Sequence, residues 1–405
     1  VNNLNYSYND ISWEGYLRKD GRKGIRNKVL IIYTVECASF VAGSIARKMD
    51  DNDVEVIGFT GCTDNEYAIK MLVSFCRHPN VGAVLVIGLG CEYVQAERLA
   101  HIAAKSGRLA DWFLIQDTEG TKASIAKGLS IAREMYRKLK QQKTVPMHFS
   151  DLMIGAECGG SDYTSGVAGN MVVGGLFDAL VEAGGTAIFE EILETIGLKQ
   201  VLVDRAASED VAKQIAWTYD KAVDYCKEVH QYSISPGNFA GGLSTIEEKS
   251  MGAVVKSGTT RIEGVLKVSE TPAHGGLWLM DSTPDPYWMQ FGISNPSDNE
   301  GLTALASNGC QLLFYITGRG NVIGNAVAPL IKITGNSETF KKLHKDIDFN
   351  AGKILDENCT RSEAVAELAG LVCRVAGGEL TRAEETGHKE FYIPYKHQNK
   401  PFCRK

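Results

Sequence analysis

No apolar run in this 405-residue chain reaches the roughly 18 residues that a membrane span needs. No basic excess marks it as a nucleic-acid binder either: the formal net charge is -6, which argues against nucleic acid or an anionic membrane surface as partner. The first residues, Val1-Asn2-Asn3-Leu4-Asn5-Tyr6, lack the charged-then-apolar pattern of a signal peptide, so a cytoplasmic location is expected. None of the ten cysteines falls in a CxxC pair, and HExxH is missing, which removes the common zinc spacings. Without a GxSxG elbow, a serine hydrolase of the α/β type is disfavoured. Gly88-Leu89-Gly90 follows a strand, but Tyr93 stands where the third glycine of the dinucleotide fingerprint belongs, so an NAD-dependent reading is disfavoured too.

What is present is an alternation of short apolar runs with amphipathic stretches. Strands are predicted at 29–33, 54–57, 81–87, 113–115, 152–154, 186–189 and 312–317. Helices are predicted at 38–48, 67–75, 94–104, 122–140, 166–182, 208–228, 338–344 and 362–376. Continuous apolar strands between helices imply parallel sheets buried on both faces. The expected fold is α/β, with two or three Rossmann-like units, mainly parallel sheets and glycine-rich active-site loops. The Lys/Gln-rich run at 138–143, followed by Pro146, reads as the main boundary. The expected division is a flexible arm at 1–14, a first α/β domain at 15–145, a second α/β unit at 146–232, and a C-terminal α/β region at 233–405 packed on the second unit. The length alone accommodates two or three domains.

Ligands of open parallel sheets bind beyond the carboxyl ends of the strands. Cys37, Cys62, Cys91 and Cys158 all stand there, and three of them sit beside glycine and a carboxylate: Gly61-Cys62-Thr63-Asp64, Gly90-Cys91-Glu92 and Glu157-Cys158-Gly159-Gly160-Ser161-Asp162. Thiolate and carboxylate ligate divalent metals or iron–sulfur clusters, so Cys62, Cys91, Cys158 and Glu92 are candidate metal ligands converging on one site. The bland alternative is that these are buried small residues. A helix beginning after Ser161-Asp162 would aim free N–H groups at a substrate carboxylate, placing Gly159, Gly160 and Ser161 in the binding site. Glu157, Asp162, Lys249 and His274 (in Ala273-His274-Gly275-Gly276) are the candidate proton-transfer residues, although a solvated lysine is the more common outcome at a position such as Lys249. Ser235-Pro236-Gly237-Asn238 brings Asn238 into the set, while Ser244 and Glu247 form a capping-box pattern. Arg319, between Gly318 and Gly320 at a strand exit, suits bidentate capture of a carboxylate. His78 reads as a turn residue before the next strand.

From Gly15 to about Asp348 the motifs resemble those of the altronate/galactarate dehydratase family. The matching elements are Gly21-Arg22 with Arg26-Asn27, His78-Pro79-Asn80, Gly88-Leu89-Gly90-Cys91-Glu92, Glu157-Cys158-Gly159-Gly160-Ser161-Asp162, Ser235-Pro236-Gly237-Asn238 with Gly241-Gly242-Leu243, Glu248-Lys249-Ser250, Met280-Asp281 and Thr317-Gly318-Arg319-Gly320. The resemblance implies dehydration of a sugar acid or similar 2-hydroxy acid to a 2-keto-3-deoxy acid. It also implies a divalent metal, Fe(II) first, with Mn(II) or a cysteine-held iron–sulfur cluster as alternatives. A sister branch resembles the large subunit of sulfolactate sulfo-lyase, which expels sulfite to give pyruvate. A non-catalytic hydroxy-acid-binding protein is the reading from another class. The family's small histidine-containing domain has no room before Gly15, so a separate small subunit in an oligomeric assembly is expected. Two positions depart from the pattern: Gly58 stands where relatives often have histidine, and Met171 where they often have proline.

Overall fold

A computed structural model describes residues 11–230, 234–284 and 297–394. The strands in chain order are β1 (Ser12–Leu17), β2 (Lys23–Gly24), β3 (Lys28–Tyr33), β4 (Val54–Gly58), β5 (Val81–Gly88), β6 (Leu109–Leu114) and β7 (Val145–His148). Then come β8 (Met153–Cys158), β9 (Thr186–Phe189), β10 (Ile262–Lys267), β11 (Gly276–Asp281), β12 (Leu312–Ile316), β13 (Leu330–Thr334) and β14 (Phe349–Asn350). They form a four-stranded parallel sheet of order β4-β3-β5-β6, a seven-stranded parallel sheet of order β10-β11-β9-β8-β12-β13-β14, and a small antiparallel sheet β2-β1-β7.

Alternation along the strands sorts the side chains into three cores. Val29, Ile31, Leu85 and Ile87 pack outward against the helices Glu36–Met49 and Thr121–Leu139. Leu30, Ile32, Val84 and Val86 face the other way, into a core shared with Ile188, Leu313 and Tyr315 of the large sheet. The helices Glu66–Phe75, Ala96–Lys105 and Asp298–Ser307 lie in that shared layer. The far face of the large sheet, carrying Ile154, Ala156, Phe189, Phe314 and Ile316, is covered by the helices Asn170–Glu182 and Arg361–Ala376. The result is a five-layer stack of helices and two sheets. His78 and Asn80 bind the two halves: the histidine ring contacts the Cys310 carbonyl at 3.1 Å, and Asn80 Nδ2 donates to Gln311 O at 2.8 Å.

Four sequence expectations are corrected. Ser12, Trp13 and Glu14 belong to β1, paired with β7, so only residues 1–10 of the expected arm lie outside the described residues. The 145/146 boundary falls inside β7. The 146–232 and 233–405 regions share one sheet, because β10 and β11 add beside β9 while β12 to β14 extend beside β8; the point of division itself, 232/233, lies outside the described residues. The capping box near Ser244 is shifted by one: Thr245 caps the helix Ile246–Val255, accepting from Glu248 N at 3.2 Å, and Ser244 instead binds the Glu248 carboxylate.

Candidate active site

From β8 the chain winds one way, through β9 to β11 and β10, and then returns to build β12, β13 and β14 on the other side. The large sheet therefore reverses its winding between β8 and β12, and the crevice beyond the carboxyl ends there is where such sheets bind ligands. The loops Gly159-Gly160-Ser161-Asp162 and Thr317-Gly318-Arg319 meet at that point. Gly159 N donates to Ile316 O at 2.7 Å, and Gly318 N and Arg319 N both donate to Gly160 O at 3.0 and 2.9 Å. Glycine is required at 159, since a Cβ would overlap the Tyr315 hydroxyl, and at 318, since a Cβ would overlap the Asp162 carboxylate.

The polar residues of these loops divide into fixed and free. The Asp162 carboxylate accepts from Thr164 N at 2.9 Å, Thr164 Oγ1 at 2.6 Å, Ser165 Oγ at 3.2 Å and Asn336 Nδ2 at 2.9 Å. With its lone pairs so committed it is a loop fastener rather than a base. Asn238 is consumed in the same way: its Oδ1 accepts from Ser235 N at 2.8 Å and its Nδ2 donates to Ser161 O at 3.0 Å. Ser161 is buried, its hydroxyl 3.4 Å from Gly159 O. Arg319 is the free group. It is exposed, and its guanidinium has no hydrogen-bond or ion-pair partner among the described residues.

Beside this crevice, the ends of β8 and β9 carry charge on both faces of the sheet. Cys158 and Glu191 lie on the face of the helix Ile246–Val255. Lys256 Nζ stands 3.1 Å from Cys158 Sγ and in contact with Glu191 Oε2, which also accepts from Cys158 N at 2.8 Å. Lys249 pairs with Glu194 at 2.6 Å. Burial pushes the Cys158 thiol up, and the Lys256 ammonium opposes that rise. On the opposite face lie Glu157 and Glu190, with Tyr315 bound to Asp298. Burial first, and the Glu190 carboxylate second, hold the Glu157 carboxyl well above the usual carboxylate range.

Four candidate residues fall elsewhere. Among the described residues, the group whose ligand atoms come within 4.8 Å of one another is Cys158, Glu191 and Glu194, not Cys158 with Cys62, Cys91 and Glu92. Cys62 and Cys91 are exposed on loops after β4 and β5, joined by Tyr93 N donating to Cys62 O at 2.9 Å. Glu92 folds back on its own loop, accepting from Leu89 N at 3.0 Å, Gly90 N at 2.8 Å and the Thr34 hydroxyl. His274 precedes β11 and so sits at the amino end of a parallel strand, away from the crevice. It is exposed, packed on Trp278 and bonded to Gly275 O at 2.8 Å, and cannot serve as the site base. Gly58 also has a local reason: a side chain there would overlap the Tyr33 ring.

Sequence reasoning missed Glu190, Glu191, Glu194 and Lys256. The rule that selected the cysteines, a reactive side chain directly past a strand, would have found Glu190-Glu191 after Thr186–Phe189. Lys256 carries no such signal, because only packing brings the end of the helix Ile246–Val255 beneath Cys158.

Comparison with known proteins covers nearly the whole chain. Residues 15–140 match the family described as D-galactarate dehydratase/Altronate hydrolase, second domain, and residues 149–399 match D-galactarate/Altronate dehydratase, C-terminal. The chain is 31% identical over 411 residues to the altronate dehydratase of Bacillus subtilis (strain 168), covering 96% of this chain and 78% of that protein. It is 31% identical over 388 residues to the (2R)-sulfolactate sulfo-lyase subunit beta of Chromohalobacter salexigens, covering 94% and 96%. The galactarate dehydratase (L-threo-forming) of Escherichia coli (strain K12) is 31% identical over 395 residues, covering 91% and 73%.

Proposed function

The chain belongs to the D-galactarate/altronate dehydratase family of carbon–oxygen lyases, and on that premise we propose that it eliminates water from the β position of a sugar acid or similar 2-hydroxy acid. The product is a 2-keto-3-deoxy acid. The observation that carries the reading is an arginine without a partner among the described residues at the winding reversal of the large sheet, with two buried lysines and a set of buried carboxylates at the adjoining ends of β8 and β9.

Arg319 captures the substrate carboxylate with its two-pronged fork, and Gly160 and Gly318 keep side chains out of its way. The proton next to that carboxylate is acidic enough for a buried amine–carboxylate pair to remove, and Lys249 with Glu194 is such a pair. Lys256 and Lys249 supply positive charge in a low-dielectric setting, where it stabilises the developing enolate more than it would in water.

The divalent metal that the family resemblance implies does not fit these donors as they stand. Cys158, Glu191 and Glu194 come together, but two ammonium groups already neutralise the two carboxylates, and Lys256 occupies the space between Cys158 and Glu191. Fe(II), Mn(II) or an iron–sulfur cluster therefore enters as a cofactor to be tested by metal analysis of the purified protein.

A second reading, loss of sulfite from sulfolactate to give pyruvate, is supported by the 31% identity over 388 residues to the (2R)-sulfolactate sulfo-lyase subunit beta. That relative is named as a subunit, which supports a separate small partner chain for this protein. A cytoplasmic location is supported by the free state of all nine described cysteines.

The deciding experiment is turnover of a panel of aldonates, aldarates and sulfolactate, with and without Fe(II) and a small histidine-containing partner. Keto-acid formation from a sugar acid supports the first reading, and sulfite release supports the second. Ligand-induced stabilisation without product would make the chain a binding protein.

A further inference from the structure

The helix Glu36–Met49 flanks β4, an edge strand of the four-stranded sheet, and turns Ala38, Val41, Ala42 and Ile45 inward. Its solvent side carries Glu36, Phe40, Gly43 and Arg47, whose spacings of four, three and four residues align them in one stripe. Phe40 is 64% exposed, a large ring held in water. Gly43 weakens a helix that alanine would strengthen. The fold of one chain does not require it, because among the described residues a Cβ there meets only the flexible guanidinium of Arg47, at 3.1 Å. Glu36 and Arg47 form no ion pair with a described residue. Their side-chain hydrogen bonds are local: Ser39 Oγ donates to Glu36 Oε1 at 3.0 Å, and Arg47 donates to Ser44 Oγ at 3.0 Å. Beside Gly43 a recess of about 660 Å³ opens between the helix and β4. Ala46, Val54 and Val56 give its lining apolar surface, and Arg47, Asp50 and Lys389 give it charge.

We propose that this face is a homodimer interface, on which the helix Glu36–Met49 of a second copy packs antiparallel across a two-fold axis. The stripe is complementary to itself in one register. With the axis midway between Phe40 and Gly43, Phe40 of each copy falls on Gly43 of the other. Positions 36 and 47 share that midpoint, so Glu36 of each copy meets Arg47 of the other. At the helical rise, like charges of the two copies then stand about 16 Å apart, beyond the screening length of about 8 Å at physiological salt. Glycine lets the helix backbones approach, and the recess beside it admits the second copy's ring. Such a contact counts every interaction twice, so one ring, one glycine and one ion pair per chain build an apolar centre with a charged rim. Covering the recess also shields the free edge of β4. A foreign partner would have to match this pattern, whereas a second copy already carries it. The face belongs to the outermost helical layer, so the test does not depend on the reaction assigned to the crevice of the large sheet.

Sedimentation velocity of the full chain between about 1 and 100 μM reads the association. The wild type should sediment as a dimer, and Phe40→Asp should weaken it at least about 100-fold while the circular dichroism spectrum stays unchanged. Glu36→Arg and Arg47→Glu should each weaken it at least about 10-fold, because each change sets like charges together twice. In an equimolar mixture of those two variants, every contact between positions 36 and 47 again joins opposite charges. The mixed dimer should therefore regain the wild-type affinity within a few-fold, a rescue that also shows both variants to be folded. A wild type that stays monomeric to the top of the concentration range would overturn the proposal, whatever else covers the face. So would a dimer that Phe40→Asp leaves intact, or a mixture of the charge variants that associates no more tightly than its components. A one-to-one complex with a small histidine-containing chain, abolished by Phe40→Asp, would assign the face to that partner and overturn the dimer.

Discussion

Replacing Lys256 by methionine isolates the electrostatics beneath Cys158. The side chain loses its charge and only its terminal atom in length, at a position only 1% exposed. Glu191 then retains the Cys158 N–H at 2.8 Å but loses the ammonium in contact with its carboxylate. Breaking a buried pair on one side costs about 3–5 kcal/mol, because the remaining charge stays buried without compensation. For a cooperative unit of the size of residues 149–399, each kcal/mol moves the melting temperature by about 2–4 °C, so Lys256→Met should melt roughly 6–20 °C below wild type. Adding Glu191→Gln removes the orphaned charge and should restore more than half of the loss, giving a coupling of at least about 2 kcal/mol in the double-mutant cycle. Thermal and urea unfolding of the four proteins measure this directly. A Lys256→Met protein that melts within about 2 °C of wild type, or a double variant no better than the single, would refute the account of this cluster.

Arg319→Lys should lower kcat/KM about 10- to 100-fold, the loss of one charge-assisted bidentate contact, with an unchanged melting temperature because the guanidinium supports nothing in the fold; unchanged kinetics would remove it from the site. His78 is fully buried and, by desolvation first, its imidazole is pushed down to about 3. Its contribution to stability is present above the ordinary value of 6.5 and is lost as pH falls from there toward 3, worth at most about 4–5 kcal/mol. His78→Gln should therefore flatten the acid limb of the stability–pH curve, and parallel curves for the two proteins would contradict this. Gly159→Ala must displace Tyr315, held by Asp298 and by Asn321 Nδ2 at 2.8 Å, and should cost about 3 kcal/mol or more in urea unfolding, relieved by Tyr315→Leu in the same chain. An unrelieved loss would show that the clash lies elsewhere.

The sequence made the first sheet readable because β3 and β5 are unbroken apolar runs between amphipathic helices. The large sheet was only half legible. In β10 the run Ile262-Glu263-Gly264-Val265-Leu266-Lys267 is diluted by charge and glycine, and β13 carries Lys332 in its centre, buried and pointing its ammonium at the Ile323 carbonyl 2.9 Å away. Such positions look solvated until the tertiary partner is known. The same reason hid half of the site. Gly159-Gly160 advertises a close backbone approach, but Glu191 and Lys256 acquire meaning only once their strand and helix are packed. The cysteines misled in the opposite sense: standing at strand ends is a property that two separate sheets can each satisfy, so equivalence in sequence did not bring Cys62 and Cys91 to Cys158. His274 failed because β11 went unrecognised, and with it the direction in which the strand runs away from that histidine.

The paired glutamates at the ends of β8 and β9 impose a parity rule on this part of the chain. Glu157-Cys158 ends β8 and Glu190-Glu191 directly follows β9, and in each pair the first residue lies on one side of a wall and the second on the other. Deleting or inserting a single residue in β8 would exchange the two compartments, setting a thiol among carboxylates and a carboxyl among ammonium groups, while the hydrophobic residues behind them also changed sides. Two residues added together would leave the assignment intact. Length variation among functional versions of this protein should therefore be confined to the loops before Met153 and after Asp162, or come in even steps within the strand. A library of one- and two-residue insertions after Ile154, screened for soluble protein, would read that parity out directly.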